Sequence, residues 1–354
     1  MRRIRKKQNG ILTNIKNIQP KTLIGSIVLI ILLILIFSII IVQSSMQKAI
    51  IYDGENLNEA RYPGYKELID KLKDEHPNWT FTLYYTKLNW NAVIKHESYS
   101  SMKKTPLNLV PDNDSYSGEW AEGDGKKYDN GNWVAASQKA IEYKMDPRNL
   151  INENNIFQLK ELTYTEEANT AEGIISKTDG SFLEGKDVAE AIINSSKKNN
   201  LDPYFVVSRL LQEQGKKGTK LSQGYEYNGK TVYNPFNISA SGNSTSAILE
   251  NAAKYAYSKE WFSLEKALEE GISFLNTRYV NEGQNTLYFQ KFDVIKKGEL
   301  YKNQYMQNLI APLSEANILL DQYEDSKTVD SEFNFIIPLY ENMPEKISEK
   351  PKEE

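Results

Sequence analysis

An uncharged run from Thr22 to Met46, in which residues 23 to 42 are almost all Ile, Leu and Val, divides this chain and constrains every fold open to it. About 20 apolar residues suffice to cross the hydrocarbon core of a bilayer as a helix. Seven basic residues and no acidic ones precede the run (Arg2, Arg3, Arg5, Lys6, Lys7, Lys16 and Lys21), and such a flank marks the cytoplasmic side of a span. The pattern predicts a cytoplasmic basic segment at 1–21, one transmembrane helix at 22–46, and everything from Lys48 onward on the outer face of the cell membrane. A cleaved signal peptide has a shorter apolar region and a small-x-small site. This run leads instead into Val42-Gln43-Ser44-Ser45-Met46, so a retained anchor is expected. Its Ile/Leu composition offers only Gly25 and Ser26 as small residues for close packing against a membrane-protein partner, so such a partner stays open and unidentified.

The chain beyond the run must be stabilised by its core, because it has no cysteine. That also removes a thiol nucleophile and a thiolate metal site. At 354 residues, 40% hydrophobic and 25% charged, the chain can bury a sizeable interior. Subtracting the seven N-terminal positive charges from a formal net charge of −4 leaves −11 for the rest, which argues against a nucleic-acid partner. His76 and His96 stand outside any HExxH pattern, leaving a zinc hydrolase or a Ser-His-Asp enzyme little to build on. Carboxylates remain as the available chemistry, with no metal or cofactor called for.

One carboxylate stands apart. Residues 203–214 read as an amphipathic helix with Asp202 as N-cap, Pro203 at the first helical position and Gly215 as a left-handed C′ residue. At about 100° per residue, Val206, Leu210 and Glu213 share a face. A carboxyl on an apolar stripe loses solvation, which favours its neutral, proton-donating form. A Glu in the last turn of a helix is ordinarily a solvated surface residue, so the helix alone does not decide the matter.

Around it, periodicity predicts a polar stalk at 47–60, a helix at 65–75, a strand at 79–84 and a helix at 88–96. Residues 98–132 read as a long surface loop bracketed by Trp120 and Trp133. Helices are expected at 134–143, 153–162, 187–199, 245–258, 263–280 and 303–322, with a turn at 146–150. A strand-like segment at 333–340 precedes a Lys/Glu tail, after Pro344, expected to be disordered. These elements make the soluble part α+β, mainly α. They divide into a stalk, small α+β subdomain and loop (47–132), a helical catalytic domain (133–326) and a C-terminal segment (327–354).

A glycosidase needs an acid to protonate the leaving oxygen, a means of stabilising positive charge at the anomeric carbon, and aromatic or amide groups to hold sugar rings. Glu213 supplies the acid. Tyr225, Tyr227, Tyr233, Phe236, Tyr279 and Tyr288 supply stacking faces, and Asn234, Asn237, Gln284, Asn285 and Gln290 supply amides. With 22 tyrosines in the chain, the clustering near a helix-terminal Glu is more informative than any single ring.

Five pieces in order carry a family resemblance: Tyr62-Pro63-Gly64-Tyr65 with His76-Pro77-Asn78-Trp79; Met145-Asp146-Pro147-Arg148-Asn149-Leu150; Leu210-Leu211-Gln212-Glu213-Gln214-Gly215; Tyr233-Asn234-Pro235-Phe236-Asn237-Ile238; and Tyr279-Val280 with Gly283-Gln284-Asn285-Thr286-Leu287-Tyr288. From about Tyr62 to Asp325 the chain resembles the membrane-anchored glucosaminidases of Gram-positive bacteria, within glycoside hydrolase family 73. The resemblance implies a lysozyme-like helical catalytic domain and hydrolysis of the β-1,4 bond after N-acetylglucosamine in peptidoglycan glycan strands, with Glu213 as general acid. It further implies that Tyr233, Asn234, Phe236, Asn237, Tyr279, Gln284 and Tyr288 bind substrate.

Many relatives insert a β-hairpin lobe with a second carboxylate after the Asn-x-Phe motif, but Ser239 to Ser246 is short. Glu226 and Glu250 are the nearest alternatives, each more simply read as a solvated residue. A single-acid site is therefore expected, with either water or the substrate's own acetamido group attacking. Two other readings stay open: a lytic transglycosylase leaving 1,6-anhydro-muramyl ends, and a non-catalytic wall-binding scaffold.

Overall fold

Strand β1 (Lys48–Ile51) opens the structure and is followed by α1 (Lys66–Glu75), which buries Ile69 and Leu72 and stops at His76-Pro77. Strand β2 (Thr80–Asn89) then points Phe81 and Leu83 inward, the period-2 burial that its alternating sequence predicts. The computed structural model describes residues 47–99, 105–128, 131–242, 244–295 and 299–353. The apolar run, its basic flank and the anchor expected from them lie outside these residues. Among the described residues no helix is long and apolar enough to cross a membrane.

Asn89 caps α2 (Trp90–Glu97) by accepting from the Ala92 amide. The segment expected to be a surface loop carries β3 (Leu109–Pro111) and β4 (Lys127–Tyr128), which flank β5 (Trp133–Ala135) in a three-stranded antiparallel sheet. Its polar composition hid the pairing, since the apolar residues that anchor it, Leu109, Val110 and Trp120, are few and widely spaced. The helix expected from Val134 begins instead at α3 (Gln138–Met145), where Ser137 caps the Ala140 amide. In place of a helix at 153–162 there is a short 3₁₀ turn, Ile156–Leu159. The Asn152 and Asn155 side chains both donate to the Asn149 carbonyl, a local alternative to helical bonding.

The next helices are α4 (Ala171–Thr178), α5 (Lys186–Asn199), α6 (Pro203–Gln214) and the short α7 (Lys220–Gln223). A hairpin of β6 (Tyr225–Tyr227) and β7 (Lys230–Val232) turns through Asn228 and Gly229, both at positive φ. Beyond it come α8 (Thr245–Ser258), α9 (Leu264–Leu275) ending in a single π-turn at Asn276–Val280, α10 (Leu287–Phe292) and α11 (Ala311–Asp325). The last of these starts well after the expected 303, with Pro312 in its first turn, a position that suits proline.

Strand β8 (Asn334–Glu341) closes the fold by pairing parallel with β2, Thr80 opposite Asn334 through Tyr85 opposite Leu339, while β1 pairs antiparallel on the other side. The tail beyond it is held rather than disordered. Arg148 donates to the carbonyls of Pro344, Glu345 and Lys346, Asn149 donates to that of Ser348, the Ser348 amide donates to Asp146, and Pro351 is buried. Its charge pattern suggested solvation, but the binding is through backbone groups that every residue carries.

From Gln47 on the chain is one unit. The boundary expected at 132/133 would cut the β3-β5-β4 sheet, and that at 326/327 would part β8 from β2. The fold is mixed α and β, with helices carrying more residues than strands. Its central helix is α6, buried from Pro203 through Leu210 and in contact with α4, α5 and α11.

Candidate active site

The site is built from the helix that bears Glu213. Asp202 caps α6 through the amides of Tyr204 and Phe205, and its second oxygen takes the buried Lys160 ammonium at 2.8 Å and the Tyr323 hydroxyl at 2.7 Å. A buried charge of this kind persists only when paired. The far end departs from expectation. Gly215 sits at φ 67, ψ 168, outside the left-handed helical well and in a region essentially reserved for glycine. The chain therefore leaves α6 sharply at Gly215, two residues past Glu213, which is half-buried.

The carboxylate is held from below. Tyr305, on the loop before α11, donates its hydroxyl to Glu213 Oε1 at 2.5 Å. One turn earlier on α6, the buried Arg209 guanidinium lies 3.6 Å from the Tyr305 ring centroid, as a cation over its face. Arg209 Nε donates to Glu315 at 2.8 Å and its Nη2 to Gln290 Oε1 at 2.8 Å. Burial pushes the Tyr305 phenol well above its ordinary range, and Glu213 and Glu315 add to this while Arg209 opposes it. Tyr305 thus keeps its proton and remains a donor. Burial would lower the Arg209 guanidinium, but Glu315, Tyr305 and Glu213 outweigh it, so the cation is secured.

The loop Tyr233–Ile238 is tied to the same helix end. Gln214, next to Glu213 and buried, donates to the Pro235 carbonyl at 2.7 Å. Within the loop Asn234 is internal: its amide donates to the Ile238 and Ala252 carbonyls and accepts from the Ile238 amide. Phe236 is buried against α9, where a Cβ on Gly271 would come within 2.1 Å of its ring. These two residues, expected to hold sugar, shape the loop instead. Tyr233 and Asn237 are half-exposed, and Asn237 adopts φ 51.

Gln284 and Tyr288 also depart from the expected substrate contact. Gln284 is buried, donates to the Phe289 and Asn303 carbonyls and accepts from the Asn303 amide. Tyr288 is 1% exposed, with its hydroxyl donating to the Met145 carbonyl and bonded to that of Tyr340. Their polar groups are committed inside the protein. Tyr279 packs edge-on against Tyr305, ring centroids 5.5 Å apart, and so joins the wall behind Glu213.

Tyr305, Arg209, Glu315 and Gln214 escaped the sequence reading. An arginine within an otherwise apolar helix was a signal for the second, since a buried cation demands a partner. No comparable mark distinguished Tyr305. Glu226, bonded to Thr231 in the hairpin, and Glu250 on α8 are both exposed. Among the described residues no group of three or more His, Asp or Glu is placed to hold a metal ion.

No protein-family model matches the chain. Over 164 residues, 44% of its length, it is 30% identical to a β-N-acetylglucosaminidase of Bacillus subtilis strain 168, of which the match covers 18%. Over 221 residues, 59% of its length, it is 26% identical to a bifunctional autolysin of Staphylococcus epidermidis strain ATCC 12228, covering 16% of that protein. The chain thus spans less than a fifth of these curated relatives. Among solved structures it is similar to S. aureus glucosaminidase B, with a TM-score of 0.52 and 23% identity over 73% of this chain and 93% of that one. The major bifunctional autolysin aligns with a TM-score of 0.50 and 21% identity, covering 74% and 98%. These likenesses establish the fold.

Proposed function

We propose that the protein is a cell-wall hydrolase, an endo-β-N-acetylglucosaminidase that cleaves the β-1,4 bond after N-acetylglucosamine in peptidoglycan glycan strands. The observation that carries this reading is Glu213, set at the end of a buried helix with one oxygen engaged by Tyr305 and the other free of any protein hydrogen bond among the described residues. The free oxygen is the one that can face a glycosidic oxygen. Similarity to a β-N-acetylglucosaminidase and to bifunctional autolysins supports the choice of substrate class, and the part that aligns with glucosaminidase B is read as a lysozyme-like catalytic domain.

In this reading Glu213 donates its proton to the leaving oxygen as positive charge develops at the anomeric carbon. Tyr305 fixes the carboxyl rotamer, and the buried Arg209 and Glu315 fix Tyr305. Tyr233 and Asn237, on the loop docked through Gln214, keep surface to offer a sugar ring, as do Tyr225 and Tyr227 on the hairpin. With no second carboxylate assigned to the step, attack by water or by the substrate's acetamido oxygen completes it. The basic segment and apolar run at the N-terminus would hold the enzyme at the membrane with this unit outside.

Replacing Glu213 with Gln is expected to abolish strand cleavage while leaving the fold intact. Mass spectrometry of wild-type digests should then find reducing N-acetylglucosamine ends. 1,6-anhydro-muramyl ends would instead make the protein a transglycosylase, and undiminished cleavage by the variant would remove Glu213 from the chemistry.

A further inference from the structure

Arg278 is not used by the mechanism above. It lies in the π-turn that ends α9, a kind of insertion often found at functional sites. The turn places two neighbours on opposite sides: Tyr279 is buried against Tyr305 and so behind Glu213, whereas Arg278 is exposed. Its Nε donates to the Tyr279 hydroxyl at 3.2 Å, and no carboxylate lies within ion-pair distance of it among the described residues. The backbone beneath is fixed, because Asn303 donates to the Arg278 carbonyl at 2.8 Å and to Gln284 Oε1 at 2.7 Å. Gln284 therefore serves the site by anchoring this platform.

Beside the guanidinium is a cavity of about 300 Å³ that Arg278, Lys302 and Asn303 help to line, a volume within the range of ligand sites. Glu282, Asp293 and Glu299 line it too. Among the described residues that line the cavity, net charge thus does not attract anions from a distance. Selection must come at contact, where the planar fork of an arginine matches a carboxylate through two parallel hydrogen bonds.

We infer that Arg278 determines specificity by binding a carboxylate carried on the lactyl arm of a muramyl residue, either the free lactyl group or a carboxylate of the peptide attached to it. The inference rests on the glycan-strand reading of Glu213. Peptidoglycan strands carry this arm on every second sugar, whereas N-acetylglucosamine oligomers carry no carboxylate.

The test uses the full chain with Glu213→Gln, to stop turnover, with and without Arg278→Gln. Binding is measured to three ligands: peptide-bearing strands, strands stripped of peptide by an amidase, and N-acetylglucosamine oligomers. Loss of one charge-assisted contact predicts roughly 10-fold weaker binding to carboxylate-bearing strands, with the uncharged oligomer and the melting temperature unchanged. Loss confined to peptide-bearing strands identifies the peptide carboxylate as the source, and loss confined to stripped strands identifies the lactyl one. Equal loss on all three ligands, or none on any, overturns the inference while leaving the hydrolase reading in place. That reading fails separately, if the Glu213→Gln protein still cleaves strands.

Discussion

Glu213, Tyr305 and Arg209 act as one unit, because each determines the position of the next. A carboxylate that accepts from a phenol has one oxygen and one rotamer removed from choice, and the phenol itself cannot swing while a guanidinium covers its ring at 3.6 Å. Tyr305→Phe keeps the ring and the cation beneath it but deletes the donor. The bond strengthens as Glu213 gives up its proton and becomes a carboxylate, and losing a hydrogen bond to a charged group corresponds to about 1.5–3 kcal/mol, so kcat should fall by roughly 10- to 100-fold with KM little changed. An equal rise in KM would instead make Tyr305 a substrate contact. The position of Glu213 in the last turn of α6 was legible in the sequence. Tyr305 was not, because the apolar spacing of 303–310 imitates the first turns of a helix that begins only at Ala311, and Pro312 is the mark of that start.

At the scale of elements, α9 and the loop before α8 meet without room to spare. Gly271 leaves space for the Phe236 ring, and Phe236 holds the loop that Gln214 ties to the end of α6. Gly271→Ala should displace that ring and cost about 1–3 kcal/mol, as overpacking does, with activity falling further than stability. Unfolding and strand-cleavage assays on the same preparation check both parts, and full activity would show that the loop repacks freely. The same contact explains why sequence alone assigns Phe236 and Asn234 to sugar binding. An aromatic and an amide beside a catalytic motif look alike whether they touch substrate or support the loop that does. Helix ends were better marked: Asp202 and Pro203 could be read directly, since a cap is a local device. The small β3-β5-β4 sheet could not, because its pairing joins short segments whose partners only tertiary structure supplies.

Across the whole molecule, His76 fastens three distant stretches. Its ring stacks on Trp79, with Nδ1 at 2.6 Å from Asp330 and Nε2 at 2.8 Å from Glu153. Burial would lower its pKa, but Asp330 and Glu153 outweigh that and raise it above the ordinary 6.5. A raised value in the folded state gives stability that is fully present below 6.5 and is lost as pH rises through the folded pKa. The melting temperature of wild type should therefore exceed that of His76→Gln at pH 5–6, and the gap should narrow above neutrality. A gap independent of pH would mean that stacking alone holds the ring.

The parallel pairing of β2 with β8 also governs when this protein can exist. The two strands lie about 250 residues apart, so this ladder of the sheet cannot close until β8 has been made, and such non-local pairing is slow to form. At the usual 5–20 residues per second of synthesis, β2 waits roughly 10–50 s with one edge unpaired. Until β8 arrives, that open edge is available to pair with a neighbouring molecule.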